Sequence, residues 1–449
     1  MQKGLAAVLL LDGDYGRIPA MRKHGNTLVV GRPTASTTDG WYRLGAALRV
    51  EGDARLEAHQ SDIWFSLPAE HADAFTLQDC SDCFLLGVLY FAMRNGYDIR
   101  LEGAVSAQLA TYLQNEVMPI MCAYRPCLRP ICVGAAEMRD FRGGSGVGTG
   151  FSGGVDSFHT IYSNLQEPGH PHDKLTHLFF FNVGTNGLGR SAEEVALVRT
   201  KFLRRYEVLR TAADMIGLPL IPVDSNVHSF LPDNIAADIT ICNAAAIHFL
   251  RGGIGLYLTS SNGYDYGALL NYLMHTPSAA RIDMAMIEHE LCPWLSDDAL
   301  RIVPYGTNKK RLEKTQAIAD YRPAQLRLNV CNSVSTLEKN CSVCSKCRRS
   351  MLDLELLGKL DLFNEAFDVD LYRRKFKSRD FAELLFPPPE YQNPFLHDAR
   401  RYAMAHGIDV AKQCTWMDRL CARMHQTWVY RLLKALSLLG AVKRLLGRK

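Results

Sequence analysis

The chain has 449 residues, 47% hydrophobic and 22% charged, a composition that suits a globular protein of two or three domains. Its net charge of +4 is close to neutral for this size and argues against nucleic acid as a partner. No apolar run approaches the roughly 18 residues that span a bilayer, and thirteen cysteines without a secretory signal point to a reduced, cytoplasmic setting.

Residues 1–142 are expected to form an α+β domain. Met1–Asp12 reads as a first strand, Thr27–Val30 and Ile63–Phe65 as short strands, and Cys83–Arg94 and Ala107–Met121 as helices. Gly143, Gly144 and Gly146 then read as a hinge-like entry into residues 143–357, where strand-like runs alternate with helical patterns. Strands are expected at Leu178–Val183, Leu220–Asp224, Ile254–Thr259 and Leu300–Pro304, and helices at Ala192–Ile216 and Ile239–Leu250. This alternation predicts the α/β class, with a parallel sheet covered by helices on both faces. Residues 358–449 turn helical and basic, with Phe386–Pro389 as a rigid linker. Beyond Asp418 no acid remains, while Arg423, Arg431, Lys434, Lys443 and Arg444 alternate with Trp428, Leu432, Leu436 and Leu439. Such a basic, leucine-rich helix suits an anionic membrane surface or a protein partner, and equally a terminal helix packed on its own protein.

The stretch Gly148-Thr149-Gly150-Phe151-Ser152-Gly153-Gly154-Val155-Asp156-Ser157 reads as a strand, a glycine turn and the start of a helix, without Gly-Lys-Ser/Thr. Backbone N–H groups in such a turn form an anion-binding concavity at a helix N-terminus, and glycine permits close approach of the ligand. Ser152 and Ser157 add hydroxyl donors, and Asp156 among them is explained by a divalent cation held against the same anion. Gly148-x-Gly150-x-x-Gly153 also fits a dinucleotide fingerprint, but Met138–Arg142 upstream is no buried strand. In an open parallel sheet the ligand lies beyond the carboxyl ends of the strands, so Asn182, Val183 and the Thr259–Asn262 segment should converge on this loop.

Cys331, Cys341, Cys344 and Cys347 follow C-x9-C-x2-C-x2-C, a spacing that brings four thiolates to one tetrahedral ion. Zn2+ in a structural site is expected, a cubane iron–sulfur cluster being the alternative for the same ligands. Cys80, Cys83, Cys122, Cys127, Cys132, Cys242 and Cys292 read as core. His275, Glu288, His289 and Glu290 fall where a substrate loop should be, but carry no assignment, since such pairs are usually surface groups.

The loop resembles the Ser-Gly-Gly-x-Asp-Ser loop of the PP-loop ATP pyrophosphatases. Together with Asn340-Cys341-Ser342-Val343-Cys344-Ser345-Lys346-Cys347-Arg348-Arg349 it is similar to 7-cyano-7-deazaguanine synthase and its relatives. The likeness spans about Val147 to Leu357 and implies an adenine nucleotide alpha hydrolase-like fold, with ATP and Mg2+ at the loop and Zn2+ at the cysteines. Carried over by position, Ser152, Gly153, Gly154, Val155, Asp156 and Ser157 would hold the ATP phosphates, with Asn182 and Val183 beside them. Asn308–Lys314 resembles the lysine-bearing helix start near the phosphates, so Lys314, or else Lys309 or Arg311, would stabilise the departing pyrophosphate.

The flanking regions have no counterpart in that family, which implies a divergent relative with a different, larger acid as substrate, small molecule or peptide. The expected activity is adenylation of a carboxylate or amide for ligation to a nitrogen nucleophile, by an enzyme whose oligomeric state stays open. Two alternatives remain: an RNA thiolation enzyme, with Cys242 the loose candidate for its reactive thiol, and a non-catalytic ATP-binding module.

Overall fold

A computed structural model describes residues 25–425 apart from 168, 232–235, 237 and 332–338. The expected strand at Met1–Asp12 and the basic segment beyond residue 425 lie outside the described residues. The molecule is a mixed α/β protein built on a large sheet, 11-stranded among the described residues. In chain order the strands are β1 Thr27–Val30, β2 Thr34–Thr38, β3 Trp41–Glu51, β4 Asp62–Pro68, β5 Asp98–Ser106, β6 Val133–Arg139, β7 Gly146–Gly150, β8 His177–Phe181, β9 Leu220–Ser225, β10 Ile254–Ser260 and β11 Arg301–Tyr305. In space they run β11-β10-β7-β8-β9-β4-β3-β1-β5-β6, with β2 on β3.

All neighbours from β11 to β9 pair in parallel, as do β1, β5 and β6. The antiparallel pair β4–β9, with Phe65 opposite Ser225 and Ser66 opposite Asp224, joins the two parts into one continuous sheet across the 142/143 boundary. Alternation along the central strands divides the core. Phe179, Phe181 and Tyr257 face the cluster made with the Asp82–Asn95 and Ile239–Phe249 helices. Leu178, Phe180, Leu256 and Leu258 face the cluster made with the Val155–Gln166, Ala192–Ile216 and Ser345–Leu356 helices. Period-2 patterning thus buries both faces, as a sheet with helices on each side requires. Among the described residues no helix is long and apolar enough to cross a membrane.

The glycines at the entry to β7 lie against neighbouring backbone. A Cβ on Gly144 would lie 2.1 Å from the Gly253 carbonyl carbon, and the Gly144 N–H donates to Arg251 O at 2.9 Å. Glycine is required there because two backbones touch.

Arg251 is among the largest fully buried side chains of the described residues; its guanidinium bonds Asp82 and, at 2.8 Å, Asp297. His248 completes an acid–histidine cluster whose centre is filled by this arginine, which links the Asp82–Asn95 helix to the segment before β11. Removing one partner of a buried ion pair leaves an uncompensated charge. Arg251→Met is expected to cost about 3–5 kcal/mol in urea unfolding, two buried carboxylates being left behind. A loss below about 1 kcal/mol would show that the cluster does not bear on stability.

Candidate anion and metal site

β7 ends at Gly150, and the chain turns through Phe151–Gly154 into the Val155–Gln166 helix. β8 lies on one side of β7 and β10 on the other, so strand order reverses here and a crevice opens beyond their carboxyl ends. Gly153 has φ +75°, and a Cβ there would meet Leu209 Cδ2 at 2.8 Å, so both conformation and space demand glycine. Gly154 is the N-cap, extended and without a side chain to cap the helix. The first helical amides therefore lack a side-chain acceptor, which is the arrangement that receives an anion. Ser152 Oγ and Ser157 Oγ lie 3.3 Å apart at the same turn, and Phe151 packs edge-on against Phe158, fixing the helix start.

Asp156 points at two cations. Arg311 Nη2 is 2.8 Å from Oδ2, and Lys314 Nζ is 3.4 Å from Oδ1. Lys314 is 1% exposed and also donates to Ser261 Oγ, at the end of β10. Burial pushes its ammonium pKa down, and the Asp156 carboxylate opposes that shift. The Arg311–Ile318 helix thus delivers both charges, whereas Lys309 is exposed. Arg205 donates to Ser152 O at 3.3 Å, a contact from the Ala192–Ile216 helix that the sequence reading missed.

Asn182 and Val183 are buried at the end of β8, the next strand. Asn182 donates to Asp224 Oδ1 at 2.7 Å and accepts from Asn186, while Arg199 pairs with Asp224 at 2.9 Å. Its side chain is committed to a strand-end network beside the loop.

Glu288, left unassigned in the sequence reading, is buried with Oε1 lacking a hydrogen-bond partner. Burial first, then Asp283, push its carboxyl up to about 8, with Lys314 opposing and Asp156 reinforcing the shift. A folded pKa above the unfolded value stabilises the fold at low pH, and that contribution is lost as pH rises toward 8. Each unit in the window from about 4.5 to 8 is worth about 1.4 kcal/mol for one group. Glu288→Gln is expected to flatten stability across that window and raise it at pH 8, as read by urea unfolding at several pH values. An unchanged slope would place the proton uptake elsewhere.

The four cysteines come together. Sγ–Sγ separations are 3.9 Å for Cys331–Cys344, 3.8 Å for Cys341–Cys347 and 3.4 Å for Cys344–Cys347. Zn–S bonds of about 2.3 Å in a tetrahedron place sulfurs about 3.8 Å apart, so the cluster fits a metal such as zinc. The Cys344 N–H donates to Cys341 Sγ at 3.4 Å and the Cys347 N–H to Cys344 Sγ at 3.5 Å, the turn that two-residue spacing produces. Two residues before Cys331, the Asn329 N–H donates to Gly153 O at 2.7 Å, which links the segment leading into the cysteine cluster to the glycine turn.

Other cysteines differ from expectation. Cys80, Cys83, Cys242 and Cys292 are buried, but Cys127 is exposed in the turn after the Met118–Tyr124 helix, and Cys122 in that helix and Cys132 just before β6 are partly exposed. Cys242 is fully buried against Asp238 Oδ2, and burial holds its thiol pKa well up, so it offers no reactive thiolate. His275 is exposed and stacks on Tyr391, and His289 bonds Thr307. Neither a protein-family model nor a curated protein matches the chain.

Proposed function

We propose that the protein is an ATP pyrophosphatase-type ligase, with an adenine nucleotide alpha hydrolase-like domain and a structural zinc at Cys331, Cys341, Cys344 and Cys347. The observation that carries this reading is the uncapped helix N-terminus at the strand-order reversal, with Lys314 and Arg311 gathered on Asp156 beside it. A carboxylate or amide oxygen of the substrate attacks the α phosphate of ATP, the bond to the β phosphate breaks, and pyrophosphate leaves. The loop amides and Ser152 and Ser157 hold the departing oxygens, and Lys314 neutralises their developing charge. A nitrogen nucleophile then attacks the activated carbon, expels AMP and loses a proton. Catalysis is positioning and electrostatics, with no side-chain nucleophile.

Mg2+ would accompany the triphosphate as its counterion. Asp156, paired with Arg311 and Lys314, is the acid that could hold it. The exposed cysteine expected of a thiolation enzyme is missing at Cys242, which weakens that alternative.

The decisive experiment is product analysis with Mg·ATP and a panel of carboxylic acids. AMP and pyrophosphate are expected, and release of ADP and phosphate would defeat the reading. A protein that binds ATP yet yields neither would favour the non-catalytic alternative.

A further inference from the structure

Two segments hold the side chain of Lys314. Its Nζ donates to Ser261 Oγ, just beyond β10. Its Cε lies 3.6 Å from the point where a Cβ on Gly306, just beyond β11, would stand. Residues 284–291 are strung between the same two segments. Asn262, next to Ser261, donates through Nδ2 to Ala285 O at 3.2 Å, and His289 Nε2 bonds Thr307 Oγ1, next to Gly306, at 2.6 Å. Glu288 stands between these two ties, at the strand ends where Lys314 meets Asp156.

Glu288 is 6% exposed, and its Oε1 has no hydrogen-bond partner. Buried carboxyl oxygens are normally satisfied, so an open one costs stability unless a ligand group completes it. Asp297, in the same fold, shows what a structural acid looks like: it binds Arg251 at 2.8 Å and accepts from the Leu300 N–H at 2.8 Å. Around Glu288 the charges are otherwise committed. Asp283 accepts from the Ala285 N–H at 3.0 Å, and Lys314 and Arg311 are shared by Asp156. Two ring nitrogens nearby are open in the same way, Nδ1 of His289 and Nδ1 of His159, the latter 3.1 Å from the Cβ position at Gly306. The strand ends beside Lys314 are thus lined by buried polar atoms that await a polar ligand.

The nitrogen nucleophile of the reaction above must lose a proton as it attacks. We propose that Glu288 is the catalytic base of the ligation step and takes that proton through Oε1. The assignment rests on the functional reading above and concerns its second half alone. The nitrogen bonds to the acyl carbon, the C–O bond to AMP breaks with its electron pair leaving on AMP, and one N–H proton passes to Oε1. The carboxylate is restored when this proton goes to solvent. Burial holds the carboxyl up at about 8, in the range where a base both accepts and releases a proton readily.

Ligation by the full chain, with Mg·ATP and the acid that supports exchange, tests it with two nucleophiles, ammonium and hydroxylamine. Hydroxylamine is uncharged at neutral pH and traps an adenylate without help from a base. In Glu288→Gln, amide formation from ammonium should fall about 10²-fold or more relative to hydroxamate formation and to ATP–pyrophosphate exchange. Glu288→Asp keeps the acid but draws it back by one methylene, and the same ratio should fall about tenfold. Amide formation at the wild-type rate by Glu288→Gln overturns the proposal. So does an equal loss of exchange, hydroxamate and amide, the mark of a purely structural role. If Glu288→Gln fails to fold, undiminished amide formation by Glu288→Asp overturns it instead. A wild-type protein without exchange removes the functional reading itself, and this proposal with it.

Discussion

Asp156→Asn is expected to reduce ATP–pyrophosphate exchange by about 10²–10³-fold or more, while the protein stays folded and still binds ATP. The carboxylate holds Arg311 at 2.8 Å and Lys314 at 3.4 Å, and it is the acid a magnesium ion would meet. Without it the two cations lose their common anchor, and pre-organisation is what an electrostatic mechanism depends on. The amide keeps the shape of the side chain but leaves Lys314, which is 1% exposed, short of a counter-charge. A stability loss of about 1–3 kcal/mol should follow, too small to unfold a domain of this size. ATP itself should bind as well as before or better, since a negative charge beside its phosphates has gone. Exchange measured with the acid that supports it, alongside calorimetric ATP binding, separates these effects. Exchange at the wild-type rate would take Asp156 out of the chemistry.

Loss of the metal should act on the same loop from a distance. Purified protein is expected to carry about one zinc per chain, with none of the visible absorbance of an iron–sulfur cluster. Chelation, or Cys344→Ser, should then lower stability by several kcal/mol, because binding energy of about 10–16 kcal/mol in comparable small sites is folding energy. Nucleotide binding should fall as well. Cys331 lies two residues beyond Asn329, whose N–H holds the Gly153 carbonyl. The check is metal content by mass spectrometry together with thermal unfolding and ATP titration before and after chelation. Chelated protein that melts and binds ATP unchanged would show that the cysteines hold no structural ion.

Local pattern carried much of this protein. The Ala192–Ile216 helix falls at the expected residues, with Ser191 at its start and Gly217 at its stop, and β8, β9, β10 and β11 fall on their apolar runs. Strands buried on both faces leave continuous apolar segments, which are legible without a partner. β2, β3, β5 and β6 were not read. β3 alternates only in part and carries Gly45-Ala46-Ala47, while β6 is an exposed edge strand with Glu137 and Arg139. Such strands are specified by their neighbours more than by their own composition.

At the site, the glycine turn with Asp156 and the four cysteines were visible because each obeys a short spacing whose chemistry is local, while Lys314 was singled out through the family resemblance. Tertiary structure alone decided the rest. The β4–β9 pairing that makes one sheet of two regions, the close backbone contact at Gly144, the burial of Glu288, the reach of Arg205 to Ser152 and the seat of Arg349 on Phe395 join residues far apart in the chain. Contacts of that kind depend on how helices and strands pack, and packing leaves no periodic trace in any single segment.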